Sequence, residues 1–249
     1  HEYGRALASH GDYQKSLEIF SKAEAINPGS IEVLFNLGRL SELLENPEEA
    51  LRHYEKVLSA DPNFGPAWNN RAGILNDRKQ YKEALASYER ALSLDPDNPE
   101  LLSNKGAVLS NLRQHADAVE IYTKVLSISP DYFEALEAIM YALCTLKQYS
   151  KALEYAEKAL QIKPHHPFLY GFAAHLRSLI CDWNNFEEDA LVIAKEVHEG
   201  QKAILPFQAL CMFDDPGLQQ QCAEIFADSQ NIKNQHKLQA APQSTNNKI

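Results

Sequence analysis

Residues 67–96 read AWNNRAGILNDRKQYKEALASYERALSLDP, and this stretch decides the fold. Apolar side chains recur at i, i+4 and i+7 in its first half, as Trp68, Ala72 and Leu75. In the second half they recur at i, i+4, i+7 and i+8, as Ala84, Tyr88, Ala91 and Leu92. Both spacings mark one face of an α-helix. The polar run Asp77-Arg78-Lys79-Gln80 parts the two helices, and Asp95-Pro96 stops the second. Neither helix can bury its stripe alone, so stability requires further copies stacked against this one.

Those copies are present. Pro28, Pro62, Pro96, Pro130 and Pro164 stand 34 residues apart. Twelve before each comes a small residue: Ser16, Ala50, Ala84, Ala118 and Ala152. Eight before come Phe20, Tyr54, Tyr88, Tyr122 and Ala156, and five before come Ala23, Val57, Ala91, Val125 and Ala159. In the first helix of each unit the close-contact position is Gly4, Gly38, Ala72, Gly106 and then Met140. This period and pattern resemble the tetratricopeptide repeat (TPR). The small residue lets the second helix approach the first, the aromatic fills the space above it, and proline closes the helix because it lacks an amide hydrogen and disfavours helix in the residue before it. Asn46-Pro47-Glu48-Glu49 offers an N-cap, a proline at the first helical position and a glutamate three after the cap; Asn98-Pro99 opens the next unit without that glutamate. The resemblance implies an all-α chain, a right-handed superhelix of helix–turn–helix repeats.

Beyond Pro164 the register weakens. Residues 168–180 still resemble a first helix, but Cys181-Asp182-Trp183-Asn184-Asn185 stands in place of the usual turn. Phe186, Ala190, Ile193, Ala194 and Val197 predict a helix, with Asn184 as its cap and Gly200 at its stop. Pro206 is expected to break any helix at Leu205-Pro206-Phe207, and Asp215-Pro216 to cap one carrying Leu218, Cys222, Ile225 and Phe226. From Asp228 the chain turns polar and reads as a linker or frayed tail. The expected organisation is a TPR array over 1–166, of about five repeats with the first truncated, a degenerate sixth repeat and helical linker region over 167–230, and a polar tail over 231–249.

Composition narrows the function. Of 249 residues 45% are hydrophobic and 23% charged, a globular balance. Lys plus Arg number 24 against 34 Asp plus Glu, a net charge of -10 with no basic cluster, which argues against nucleic acid. No apolar run approaches the roughly 18 residues of a membrane span. Cys144, Cys181, Cys211 and Cys222 have no CxxC spacing and are expected to be buried free thiols in a reducing, cytoplasmic compartment. The chain opens HEYGRAL, without methionine or a signal-type apolar stretch, and reads as an excerpt of a longer protein.

Cys181-Asp182-Trp183, Pro206-Phe207, Leu210, Asp214-Asp215-Pro216 and Leu218-Gln219 resemble the segment that joins the TPR array to the catalytic region in the O-linked N-acetylglucosamine transferase family (glycosyltransferase family 41), particularly its bacterial members. The resemblance implies a parent that transfers a sugar from a UDP-sugar donor to Ser or Thr on two Rossmann-like lobes beyond Ile249. None of the family's catalytic residues maps onto this chain, so the chain itself is expected to be catalytically inert and to hold no cofactor.

Asn36, Asn70 and Asn104 recur at the 34-residue period, two residues before the small residue of each first helix. In TPR arrays this position faces the concave groove. An asparagine offers a donor and an acceptor, enough to pair with the backbone of an extended peptide whatever its side chains. The family resemblance strengthens this, because its members hold substrate polypeptide on an asparagine ladder. The alternative is that these residues only bond neighbouring helices. Asp77 and Asn111, one repeat apart, are placed on the same groove. The ladder ends at Ala138. A carboxylate clamp is disfavoured, since the corresponding positions offer Glu32, Phe35, Asn69, Glu100 and Ser103, with Arg39 as the cation. His165-His166 reads as a solvated turn, not a metal site, and Trp183 as a packing anchor between the last repeat helix and the next layer. The expected partners are proteins or extended peptides, with neither nucleic acid nor membrane, and pairing of two copies through the repeats is compatible with the pattern. A free-standing TPR adaptor is the alternative to a glycosyltransferase scaffold.

Overall fold

A computed structural model describes residues 11–239. Thirteen helices and no strands occur among them: α1 (Tyr13–Ile26), α2 (Ile31–Leu43), α3 (Pro47–Ala60), α4 (Gly65–Asp77), α5 (Tyr81–Leu94), α6 (Pro99–Asn111), α7 (His115–Ile128), α8 (Phe133–Thr145), α9 (Tyr149–Ile162), α10 (Leu169–Leu179), α11 (Phe186–His198), α12 (Pro206–Met212) and α13 (Pro216–Gln239). The fold is an all-α solenoid of helical hairpins. By packing the chain divides into two compact units, residues 1–138 and 139–249, and each is described separately below. Gly4, at the front of the first repeat, lies outside the described residues.

In the first unit, Ala50, Ala84 and Ala118 are fully buried where the second helix of each hairpin meets the first. Opposite them the pairing of small and aromatic residues is steric. A Cβ placed on Gly38 would lie 2.5 Å from Cε1 of Tyr54, and one on Gly106 would lie 2.7 Å from Cζ of Tyr122. Burial raises the phenol of Tyr122 to about 12 and that of Tyr88 to about 12. The aliphatic cement runs between hairpins: Leu34, Val57 and Leu58 cluster with Ala67 and Ile74, and Trp68 borders both that cluster and the next one around Tyr88 and Val108. A buried side chain of this size contributes about 1.5–3 kcal/mol.

Each second helix ends as the prolines dictate. The residue before proline, whether Asn27, Asp61, Asp95, Ser129 or Lys163, leaves helical geometry at φ between -129° and -141°. Asn46 Oδ1 accepts from Glu49 N and Asn98 Oδ1 from Glu100 N and Leu101 N. Glu49 does not return the bond to Asn46; its carboxylate pairs with Arg52 and, at 3.3 Å, His53.

The turn inside the hairpin also repeats at 34 residues, which sequence inspection missed. Gly11, Glu45, Lys79, Arg113, Lys147 and Cys181 all have positive φ, between 57° and 82°. After all but the first, the next amide reaches back five residues: Asn46 N to Ser41 O, Gln80 N to Leu75 O, Gln114 N to Leu109 O, Gln148 N to Leu143 O and Asp182 N to Arg177 O, at 2.8–2.9 Å. This is the Schellman closure, usually made with glycine. Only the first of the six positions has it. Cys181-Asp182-Trp183 therefore does not replace the repeat turn; it forms it.

In the second unit Met140 and Ala156 are both fully buried. The large residue has moved from the second helix to the first, so the volume is kept although the repeat pattern is broken. The sixth hairpin, α10–α11, is held differently. Asp189 of α11 is 3% exposed; it receives Arg177 Nη1 of α10 at 2.9 and 3.0 Å and the Tyr170 hydroxyl at 2.9 Å. Burial opposes the charge on Arg177, but the hydrogen bonds to Asp189 and to Glu157 of α9 outweigh it. The segment after α11 then folds back over α10. Ala203 O accepts from Gly171 N at 3.1 Å and Lys202 O from Phe168 N, satisfying first-turn donors that no side chain caps. A Cβ on Gly171 would sit 2.5 Å from Ala203 O. Ala203, Ile204, Ala209, Met212, Leu218 and Cys222 complete a core with Ile193 and Val197.

Several expectations change here. The cap of α11 is Asn185, not Asn184, and it makes no side-chain cap bond; Asn184 Nδ2 turns to Asp182 Oδ1. Pro206 starts helix α12 instead of breaking one, because the first helical position has no use for an amide hydrogen. Asp215 Oδ1 caps α13 as expected, accepting from Gly217 N and Leu218 N. That helix continues past Asp228 to Gln239, since its polar residues, Gln and Lys among them, are good helix formers; residues 240–249 of the expected tail lie outside the described residues. All four cysteines are free, but Cys181 and Cys211 are exposed. Trp183 is 55% exposed and stacks edge-on against Phe186 of its own hairpin, so it does not anchor a next layer.

Candidate functional site: an amide-lined cleft on the first helices

A cleft of about 770 Å³ in the first unit lies across α2, α4 and α6, the first helices of three successive hairpins. Asn70, Asp77 and Asn104 line it, together with Asn69, Asn76, Glu42 and Arg78. Asn36 and Asn111 do not. Asn36 Nδ2 donates to Glu32 O of its own helix at 2.7 Å, and Asn111, which is exposed, donates to Asn76 Oδ1 at 3.0 Å. The five expected residues therefore divide into three at the cleft and two beside it.

The periodicity that places Asn70 and Asn104 here is that of the packing residues. Ala72 and Gly106, two positions on, must face the second helix, which turns position 70 or 104 about 200° around the helix toward the open side. The polar groups are connected. Asn104 Nδ2 donates to Asn69 Oδ1 at 3.4 Å, Asn69 Nδ2 to Asn70 Oδ1 at 3.5 Å, and Asn70 Nδ2 to Tyr54 Oη at 3.1 Å. Glu42 lies beside the Tyr54 hydroxyl. Glu42 is half-buried and its carboxyl is raised by that burial, with the nearby Asp77 adding to the rise and Tyr54 and Arg39 opposing it. Arg78, the cation lining the cleft where Arg39 was expected to supply one, is tied to Glu48 at 3.2 Å.

Sequence reasoning missed Asn76, and named Asn69 only among the positions weighed for a carboxylate clamp. They sit one position before the periodic residues, and their partners are 35 residues away instead of 34. A search at a single period passes over such pairs. The same cleft presents amide oxygens and N–H groups but no nucleophile beside a base, and no group of three or more metal-ligating side chains occurs among the described residues. His165 and His166 border a separate cleft of about 620 Å³ in the second unit with Tyr170, Lys195 and Lys202.

Tetratricopeptide repeat models match residues 7–72, 72–112, and both 99–132 and 141–166. The chain carries a TPR array. Two curated TPR relatives, Tetratricopeptide repeat protein 37 of Xenopus laevis and Superkiller complex protein 3 of Homo sapiens, are each 31% identical over 64 residues. That alignment takes in 26% of this chain and 4% of theirs, so the chain spans a small fraction of the length of these relatives. Solved structures share the TPR fold. PilF of Pseudomonas aeruginosa superposes with a TM-score of 0.65 at 21% identity, over 78% of this chain and 88% of its own. MamA of Desulfovibrio magneticus RS-1 gives 0.63 at 18%, over 66% and 92%. YrrB, described as a TPR protein with an unusual peptide-binding site, gives 0.60 at 21%, over 84% and 99%. No described helix is long and apolar enough to cross a membrane.

Proposed function

We propose that the TPR array is a protein-binding scaffold that holds an extended polypeptide along the cleft of α2, α4 and α6. The observation that carries this reading is the convergence of Asn70, Asn104 and Asp77 from two repeats on one open cleft. Each amide keeps an N–H, and Asn104 its carbonyl oxygen as well, after the internal bonds are counted. Those groups match what a peptide backbone presents. Each such bond is worth about 0.5–1.5 kcal/mol net, so binding is weak and tolerant of sequence. The likeness to YrrB, itself described by its peptide-binding site, is in keeping with this use of the fold. Calorimetric titration of an uncharged Gly/Ser/Ala/Thr peptide of about a dozen residues tests the reading. Measurable affinity that falls on replacing Asn70 and Asn104 by alanine supports it, and unchanged affinity refutes it.

A second reading rests on the motif residues after the repeats. Cys181, Asp182, Pro206, Asp215 and Leu218 are used for turns, caps and core, but Trp183, Phe207 and Leu210 stay 55–71% exposed. Large apolar groups left uncovered favour a scaffold that continues into further protein. Together with their resemblance to the linker of O-linked N-acetylglucosamine transferases, they support a role in recruiting polypeptide substrate for a UDP-sugar-dependent enzyme; a free-standing adaptor fits the cleft equally well. The reading frame beyond Ile249 separates the two: two nucleotide-sugar-binding lobes support the transferase scaffold, and a stop codon supports the adaptor.

A further inference from the structure

Asn69 and Asn76 lie seven residues apart on α4, two helical turns, and each bridges to α6. Asn69 Oδ1 accepts from Asn104 Nδ2 at 3.4 Å, and Asn76 Oδ1 accepts from Asn111 Nδ2 at 3.0 Å. Each then passes its own amide hydrogen to the residue following it: Asn69 Nδ2 to Asn70 Oδ1 at 3.5 Å and Asn76 Nδ2 to Asp77 Oδ1 at 3.4 Å. Two parallel relays therefore run from α6 to α4 in the same direction, one finishing on Asp77 and the other continuing through Asn70 to Tyr54.

We infer that Asn69 and Asn76 are positioning residues for the peptide cleft, holding the side chains of Asn70, Asp77 and Asn104 in the orientation that meets a polypeptide backbone. The inference rests on the peptide-binding reading of the cleft and adds residues to it. The chemistry is preorganisation. A free asparagine samples several rotamers, and binding must freeze it; a bridged one is already frozen, so the ligand does not bear that entropy. The bridges also assign polarity. Asn104, having given one N–H to Asn69, meets the ligand with its carbonyl oxygen and its second N–H, the complement of one peptide group. Asn69, which bonds both Asn70 and Asn104 of the cleft, is expected to contribute more than Asn76, whose bridge leads to Asn111 beside it.

The test uses the whole chain and the uncharged Gly/Ser/Ala/Thr peptide. The double variant N69A/N76A is expected to melt within a few degrees of the wild type, since the bridges are partly solvent-exposed, yet to bind the peptide roughly three- to thirtyfold more weakly. A merely structural role would move the melting temperature and leave the affinity of the folded protein alone. Asn69→Asp keeps the acceptor for Asn104 and should restore most of the loss seen in Asn69→Ala. In amide NMR spectra without peptide, the side-chain NH2 signals of Asn104 and Asn111 should move toward solvent-exposed positions in N69A/N76A. Wild-type affinity in the double variant overturns the inference, as do unmoved NH2 signals. Absence of any binding by the wild type overturns instead the peptide reading on which it rests.

Discussion

Hairpins α2–α3 to α6–α7 and the sixth hairpin, α10–α11, share one turn and differ in what holds their helices together. In the first group glycine or alanine faces a buried tyrosine, and the closeness of the helices is set by shape alone. In the sixth, Ala174 and Ala190 stand where a small residue and an aromatic would be. The aromatic has moved to Phe186, where earlier hairpins carry a small residue, and an ion pair, Arg177–Asp189, and a returning backbone segment at 202–204 help to hold the hairpin. A repeat packed by shape can accept an identical neighbour on either side. One closed by charge and covered by its own downstream chain is suited to be the last. The difference teaches that a hairpin that departs from the repeat pattern keeps the repeat turn and is closed by other contacts.

That contrast can be broken most directly at Asp189. Asp189→Ala leaves the Arg177 guanidinium, 15% exposed, with Glu157 as its remaining partner and should destabilise the second unit by about 1.5–3 kcal/mol; chemical denaturation read by fluorescence of Trp183 in a Trp68→Phe background measures it, and a loss under 1 kcal/mol would mean the ion pair is not the clasp. Next come the glycines. Gly38→Ala drives a methyl into the ring of Tyr54 and should cost about 1–3 kcal/mol in the first unit. Gly171→Ala meets backbone that cannot swing aside and should cost more than Gly38→Ala does, each read by the tryptophan of its own unit, Trp183 or Trp68. Equal losses would erase the distinction between shape packing and backbone cover.

Smaller effects sharpen it. His53 is 6% exposed and burial lowers its imidazole below the ordinary 6.5, although Glu24 and Glu49 pull the other way. A depressed histidine favours the folded state fully above the unfolded value; as pH falls through 6.5 the unfolded chain takes up the proton first and stability declines. His175 in the second unit is lowered by burial in the same sense, so melting temperature should drop from pH 7 to pH 5 in both units, and His53→Gln should flatten only the share of the first. Smallest is the turn. Lys79→Gly and Cys181→Gly each relieve a left-handed residue, at φ 60° and 59°, and should stabilise by about 0.5–1 kcal/mol after the entropy of glycine is set against the gain. Their gains should match, because the turn is common to both regions.

What could be read from the sequence follows from what repeats. Pro62, Ala84 and Tyr88 recur at a fixed interval because every unit meets the same neighbour, so hairpin boundaries, caps such as Asn98 and the core faces were legible. The turn at Cys181 was misjudged because its signature is a φ value and not a residue type; lysine, arginine, glutamate and cysteine all occupy that position. Helix α12 was missed since a proline either ends a helix or begins one, and Gln208, whose Oε1 accepts from Leu205 N at 3.4 Å, gives no strong signal by itself. At the candidate site, periodicity found Asn70 and Asn104. It also brought in Asn36, whose amide turns to its own helix; it passed over Asn76 and left Asn69 out of the ladder, because their partners are displaced by one residue from the repeat.

The central claim, that the cleft of α2, α4 and α6 reads peptide backbone through its amides, is tested most directly by calorimetric titration of the uncharged peptide into three proteins: wild type, N70A/N104A and N36A. The account predicts that N70A/N104A loses roughly five- to a hundredfold in affinity while N36A binds as wild type does. Equal weakening by N36A, or none by N70A/N104A, would contradict it.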